Sequence, residues 1–277
     1  GIYAYDLVSH QINHHLPTIE DGERKSANRT AAIVRHSDDN LWFAVKREIL
    51  KLNGANGLLE TQFSVRDLPG KIMSIRDMVS WVGHLIIATN RGLFALNSRT
   101  LKITPILLTG EKYDENKQPS VKSLFLHSDT LWVGSSYGVW KVDLSTSASL
   151  TSRQWLAYSN ELHLPDRNVM EIRQKHYVVY FATDAGLFHW PSSIPEPSLL
   201  LDFYSSTFSF SDNLVRTMLI DRHDNFWLAS KSHGAYLWHR NTTKFQQIDA
   251  KTHQLSHETV YSLIQDKKGK LWIGTRN

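Results

Sequence analysis

The chain has 277 residues, 31 Lys and Arg against 27 Asp and Glu for a formal charge of +4, and no Cys. A composition 41% hydrophobic and 21% charged belongs to a folded globular chain with room for one large or two ordinary domains, which excludes long-range disorder and rod-like coiled coils. The absence of Cys excludes a disulfide scaffold, Cys-ligated zinc and thiol catalysis, and is equally at home in an oxidising or a reducing compartment.

From its start the chain alternates short apolar phrases with polar turns. Residues 1–6 read GIYAYD, and a tryptophan-bearing phrase, DDNLWFAV with Trp42, follows at 38–45. It returns as GHLIIAT with Ile86, DTLWVGS with Trp132, HYVVYFAT with Tyr180, HDNFWLAS with Trp227 and KGKLWIGT with Trp272. The anchors are 44, 46, 48, 47 and 45 residues apart, a regularity that chance does not produce. Upstream of the later anchors stand VKSLFL from Val121, VMEIRQ from Val169, VRTMLID from Val215 and VYSLIQD from Val260. Apolar residues at every second position follow the period of a strand. Downstream stand GLFALN from Gly92, GVWKVD from Gly138, GLFHW from Gly186 and GAYLWH from Gly234, each opened by the residue that takes a positive φ at no steric cost. A less regular stretch, such as 244–248, supplies a fourth strand.

Four antiparallel strands per unit of about 45 residues, repeated radially, are the pattern of a β-propeller. The expected fold is therefore all-β, one propeller domain or propeller fragment over residues 1–277 with six repeats. Stacked blades cover each other's faces, so the anchors Trp42, Ile86, Trp132, Tyr180, Trp227 and Trp272 are expected to fill the space between blades. The phrase at 1–6 matches the third strand of a repeat, and the phrase around Trp272 ends where a third strand would begin. Joining Asn277 to Gly1 would set 47 residues between Trp272 and Trp42, in phase with the other spacings. A closed six-bladed ring is favoured, because it leaves no free sheet edge, with an arc of a longer array as the alternative.

LSHETVYSLIQDKKGKLWIGT at 255–275, FSDNLVRTMLIDRHDNFWLAS at 210–230 and LPDRNVMEIRQ at 164–174 carry a further clue. They resemble the two-component regulator propeller repeat. The first two copies depart from it: VKRE at 45–48 stands where a Gly turn is expected, and the second copy lacks both the Asp-Gly turn and the Trp. The resemblance implies the periplasmic sensor region of a bacterial membrane receptor, commonly a hybrid histidine kinase and sometimes a diguanylate cyclase. It implies a propeller that recognises a small-molecule ligand, often a carbohydrate, without catalysing a reaction. The partners it implies are an adjoining β-sandwich and the membrane segment of the parent receptor, and it allows a homodimer.

The chemistry of the chain itself agrees with a module that binds. No nucleophile elbow and no GxxxxGK phosphate loop occurs, and no cofactor is expected. Asp38, Asp39, Asp129, Asp221, Asp224 and Asp266 precede the anchor strands, where short acidic side chains cap turns. The pair His14 and His15, and the scattered His223, His233 and His239, make no compact metal set. Apolar runs reach about six residues, far short of the roughly 20 that span a bilayer, so no membrane span is expected. Residues 1–15 have neither the basic start nor the apolar stretch of a secretory signal. The modest, scattered positive charge does not favour nucleic acid as a partner.

In a four-stranded blade the turn between strands two and three lies on the same face as the connection to the next blade. That face gathers Arg47, Arg91, Tyr137, Arg167, Asp184, Asn213, His233 and Arg276 as ligand-binding candidates, with Lys46, Asn90, Ser136, Asn168, Asp212, Ser232, His257 and Glu258 around them. Such groups suit a polyhydroxylated or anionic ligand. Two alternatives remain. A glycoside hydrolase or lyase would need paired carboxylates about 5 to 10 Å apart, and a protein-interaction scaffold would need a large exposed apolar patch.

Overall fold

The computed structural model describes residues 2–5, 11–15, 30–37, 40–53, 56–68, 72, 74–108, 117–145, 159–162, 164, 168–184, 186–191, 193, 197–202, 215–239 and 245–276. The alternating phrases form antiparallel sheets. β1 (Ile2–Tyr5) pairs with β2 (Ile12–His15). A four-stranded sheet follows from β3 (Thr30–Arg35), β4 (Leu41–Val45), β5 (Glu48–Leu52) and β6 (Leu59–Ser64). The next is β7 (Ile75–Trp81), β8 (His84–Thr89), β9 (Gly92–Asn97) and β10 (Ile103–Ile106), and the third is β11 (Val121–His127), β12 (Thr130–Ser135), β13 (Gly138–Asp143) and β14 (Ser159–Leu162). The fourth holds β15 (Val169–Lys175), β16 (Val178–Thr183), β17 (Gly186–Pro191) and β18 (Ser198–Asp202). The fifth holds β19 (Val215–Ile220), β20 (Phe226–Ser230), β21 (Ala235–Trp238) and β22 (Phe245–Ile248), and β23 (Val260–Gln265) pairs with β24 (Leu271–Thr275). Strands pair in chain order within each sheet, as a propeller blade requires.

Neither of the two aberrant copies loses its blade. In the first, Lys46 takes the left-handed conformation that glycine takes elsewhere, with φ 54°, and β4 still pairs with β5 from Val45↔Glu48. In the second, Val82 and Gly83 at φ 32° and 74° turn β7 tightly into β8, and Ile86 replaces the Trp without exposing the core. Among the described residues a 3-10 turn, Val65–Asp67, and an α-helical turn, Ala250–His253, interrupt the β pattern; the latter is capped by Asp249, whose Oδ1 accepts from the Thr252 amide at 2.7 Å.

The chain divides into two compact units, Gly1–Val133 with Trp140–Glu161, and Gly134–Val139 with Leu162–Asn277. In the first unit β3 lies against β7 and β7 against β11, and Trp42 packs between sheets onto Ile75, Met78, Leu85 and Ile87. Ile86 packs likewise with Val121 and Leu124. In the second unit β15 lies against β19 and β19 against β23, while Tyr180 meets Phe226 edge to face at 5.0 Å between ring centres. Burying an anchor of this size stabilises by about 2–3 kcal/mol. Trp272 is by contrast 53% exposed beside Ile264 at 64%, and β24 pairs only with β23 among the described strands.

A second set of contacts ties blades together at the turns between first and second strands. In the first unit His36 Nδ1 lies 2.7 Å from Ser80 Oγ and its Nε2 lies 2.9 Å from Ser98 Oγ, while Trp81 Nε1 donates to Asp129 Oδ1 at 3.3 Å. In the second unit Lys175 reaches the Asp221 carbonyl and pairs with Asp224 at 2.5 Å. Arg222 similarly donates to the Asp266 carbonyl, and its amide donates to Gln265 Oε1 at 3.1 Å. Trp81, Lys175 and Arg222 each stand five residues before an anchor, so one repeat position reaches the following blade.

The turn carboxylates divide by role. Asp221 caps its own turn, accepting from the His223 and Asn225 amides at 2.8 and 2.9 Å, from Asn225 Nδ2 at 3.0 Å and from Trp227 Nε1 at 3.1 Å. Asp266 repeats the arrangement with the amides of Lys268 and Lys270 and with Trp272 Nε1. Asp129 and Asp224 instead serve contacts between blades, and Asp38 and Asp39 lie outside the described residues. Burial pushes the Asp221 carboxyl up, but its donors, led by the Asn225 side chain, outweigh this and hold it below the usual carboxylate range.

Candidate functional site

The turns between second and third strands are built from one recurrent device, a Ser or Thr at the end of the anchor strand. Thr89 Oγ1 donates to the Gly92 carbonyl at 2.9 Å and accepts from the Arg91 amide at 3.0 Å. Ser135 repeats this with Gly138 and Tyr137, and Thr183 bonds both the carbonyl and the amide of Gly186. Ser230 Oγ accepts from the amides of Ser232 and His233. Each hydroxyl closes a turn whose backbone polar groups would otherwise have no partner. The signal stood in the sequence as the final Thr or Ser of IIAT, WVGS, YFAT and WLAS.

These turns are latched to the segments that enter first strands, so the two sets of predicted residues do share one end of the blades. In the first unit the Lys46 carbonyl accepts from the Ile75 amide at 2.7 Å, and the Gly92 amide donates to the Pro119 carbonyl at 2.9 Å. Asn90 Oδ1 accepts from the Ser74 amide at 3.1 Å. Arg47 and Arg91 are carried by two of these turns, Arg91 exposed and Arg47 partly so. In the second unit the Gly234 amide donates to the Glu258 carbonyl at 2.8 Å and the Arg276 amide to the Thr259 carbonyl at 2.9 Å. Its turns carry Tyr137 and Arg276 in the open and Asp184 and His233 partly shielded. Asp184 has a structural task, since its carboxylate accepts from the Asn168 amide and, at 2.8 Å, from Asn168 Nδ2. Arg167 and Asn213 lie outside the described residues.

Unforeseen in the sequence is a β-bulge one residue into the first strand. The pairing register jumps across Ala31, Arg76, Met170, Arg216 and Tyr261, each the second residue of its strand. An unpaired residue of this kind twists the strand and re-aims its side chain. Lys122 holds the corresponding place in β11. Burial, and then the charge of Arg76, pull the Lys122 amine below the usual lysine range. On the neighbouring strands of the second unit the Arg216 guanidinium sits 5.0 Å over the Tyr261 ring. Among the described residues no group of three His, Asp or Glu side chains gathers to hold a metal ion.

Residues 254–277 match the model of the two-component regulator propeller. No curated protein sequence matches the chain. Among solved structures, the extracellular domain of the hybrid two-component system BT4673 from B. thetaiotaomicron is similar over 95% of this chain and 38% of its own, at 15% identity and a TM-score of 0.59. The corresponding domain of BT3049 from the same organism covers 90% of this chain and 39% of its own, at 17% identity and a TM-score of 0.52. PorZ, a surface component of the type-IX secretion system of Porphyromonas gingivalis, covers 89% and 37%, at 13% identity and a TM-score of 0.63. The chain thus spans under two fifths of the length of these neighbours, and at such identities they share its fold. Residues 254–277 thus match the two-component regulator propeller repeat, and antiparallel sheets of the same plan recur through the described part of the chain.

Proposed function

We propose that the chain is a ligand-sensing propeller from the extracytoplasmic, periplasmic region of a bacterial signal-transduction receptor, and that it performs no chemistry itself. The observation that carries this reading is the match to the regulator propeller repeat at 254–277. The fold supports it, being shared with extracellular domains of two-component systems.

Ligand is taken at the end of the blades where turns and inter-blade segments are latched together. Arg47 and Arg91 serve in one unit, and Tyr137, Asp184, His233 and Arg276 in the other, with Arg167 and Asn213 on the same repeat positions. The ligand is a small polar molecule such as a carbohydrate. The parent receptor supplies an adjoining β-sandwich and a membrane segment, and the receptor works as a homodimer. Because the turns at Lys46, Gly92 and Gly234 are bonded to segments entering first strands, a ligand that bridges turns favours one arrangement of blades over another, and the output follows that population shift.

Thermal-shift screening of the purified chain against neutral sugars, uronates and amino acids tests the proposal. A stabilising ligand that leaves the chain unconverted supports it. Turnover of any of these compounds, with none of them stabilising the fold, would sink it.

A further inference from the structure

The second unit contains a cation whose surroundings are incomplete among the described residues. Arg216, the bulged residue of β19, is half-buried, and its Nε is shielded from water without a hydrogen-bond partner. Among the described residues no carboxylate pairs with it, and its contact is with the Tyr261 ring, 5.0 Å from the guanidinium carbon. A guanidinium offers five N–H donors. Leaving one buried and unbonded is costly, and keeping a half-buried charge without a counter-charge costs more.

Every other feature of the place holds the guanidinium where it is. The bulge re-aims Arg216, and a second bulge, at Tyr261 on the adjacent strand β23, sets the ring beneath it. A cation resting on an aromatic face keeps its in-plane N–H edge free, which is the edge that grips a planar or tetrahedral oxyanion with two parallel bonds. Tyr261 is 46% exposed, so the platform is open to a molecule arriving from solvent. Tyr261 lies two residues from Thr259, whose carbonyl accepts from the Arg276 amide, which puts the pair at the latched end of the blades.

We infer that Arg216, seated on Tyr261, binds the oxyanion of a small ligand, a carboxylate or a sulfate. This deepens the sensing proposal by naming the chemistry of the ligand, and it rests on that proposal for its biological meaning.

Isothermal titration of the 277-residue chain at constant ionic strength, with glucuronate, inorganic sulfate and neutral glucose as probes, tests the inference. Glucuronate or sulfate should bind, and Arg216→Gln should weaken that binding about tenfold or more, the loss expected for a charge-assisted pair. Tyr261→Leu should weaken it by about threefold to tenfold, Arg216→Lys should retain part of it, and Arg99→Gln, an exposed cation of the other unit, should leave it unchanged. Glucuronate binding in preference to sulfate identifies a carboxylate, and the reverse identifies a sulfate. If Arg216→Gln does not fold, partial binding by Arg216→Lys together with competition between sulfate and glucuronate on the unmodified chain carries the test. Equal oxyanion binding in a folded Arg216→Gln, or no binding of either anion, overturns the inference. Glucose bound equally well by both chains overturns it while leaving the sensing proposal standing. Arg216-dependent anion binding in a receptor whose output never responds refutes sensing and leaves the site intact.

Discussion

Replacing Asp221 by Ala removes an acceptor on which four donors converge, two amides, the Asn225 side chain and the Trp227 indole, in a side chain only 6% exposed. A hydrogen bond to a charged acceptor contributes about 1.5–3 kcal/mol, but bonds sharing one acceptor do not add, and the two amides regain water once the turn loosens. The expected loss is therefore about 2–4 kcal/mol, or roughly 5–15 °C in melting temperature for a domain of this size. Urea unfolding followed by tryptophan fluorescence measures it directly. Asp266→Ala, which removes the same geometry from an exposed turn under a half-exposed Trp272, should cost clearly less. The folded-state carboxyl of Asp221 lies below its unfolded value of about 3.9. Its contribution is then fully present above that value and is lost as pH falls through the folded value, so unmodified chain and variant converge in acid. A loss under about 1 kcal/mol, an equal loss for Asp266→Ala, or a difference that persists at low pH would refute the reasoning.

A methyl group at Gly234 would meet the Ile248 carbonyl oxygen at 2.1 Å on a backbone with φ 76°, whereas one at Gly57, φ 68°, would meet nothing within 4 Å. Gly234→Ala should therefore destabilise by about 2–4 kcal/mol and Gly57→Ala by about 1 kcal/mol, compared by urea midpoint. Trp42→Ala, at a fully buried anchor, should cost about 3–5 kcal/mol. Trp272→Ala should cost about 1 kcal/mol, because half of that ring is already in water; equal melting temperatures for these two variants would contradict the burial assigned to each.

The strands were legible because a sheet writes its period into the sequence. GLFALN and GVWKVD became β9 and β13 without a shift of boundary, and the stretch expected at 244–248 became β22 at Phe245–Ile248. The common end for turns and inter-blade connections followed from topology alone, and the Lys46 to Ile75 and Gly234 to Glu258 backbone bonds realise it. Asp184 illustrates what was not legible: nothing in its phrase shows that its carboxylate accepts from the Asn168 amide and side chain. Arg216 and Tyr261 went unseen for the opposite reason. Inside VRTMLID and VYSLIQD they read as the polar and apolar alternation of a strand, and only a register jump sets them apart.

Length and composition by themselves allowed one domain or two, and the period of about 46 residues turned that length into repeats of antiparallel strands. So much the sequence determined alone, since hydrophobic alternation and turn glycines act over a few neighbouring residues. Which anchors are buried, which repeat position ties one blade to the next and which cation rests on an aromatic ring were decided only in the tertiary structure. Those properties depend on what a strand distant in the sequence brings alongside: Trp42 and Trp272 share one phrase, but Trp42 is packed against Ile75, Met78 and Ile87 of the next sheet while Trp272 is 53% exposed among the described residues.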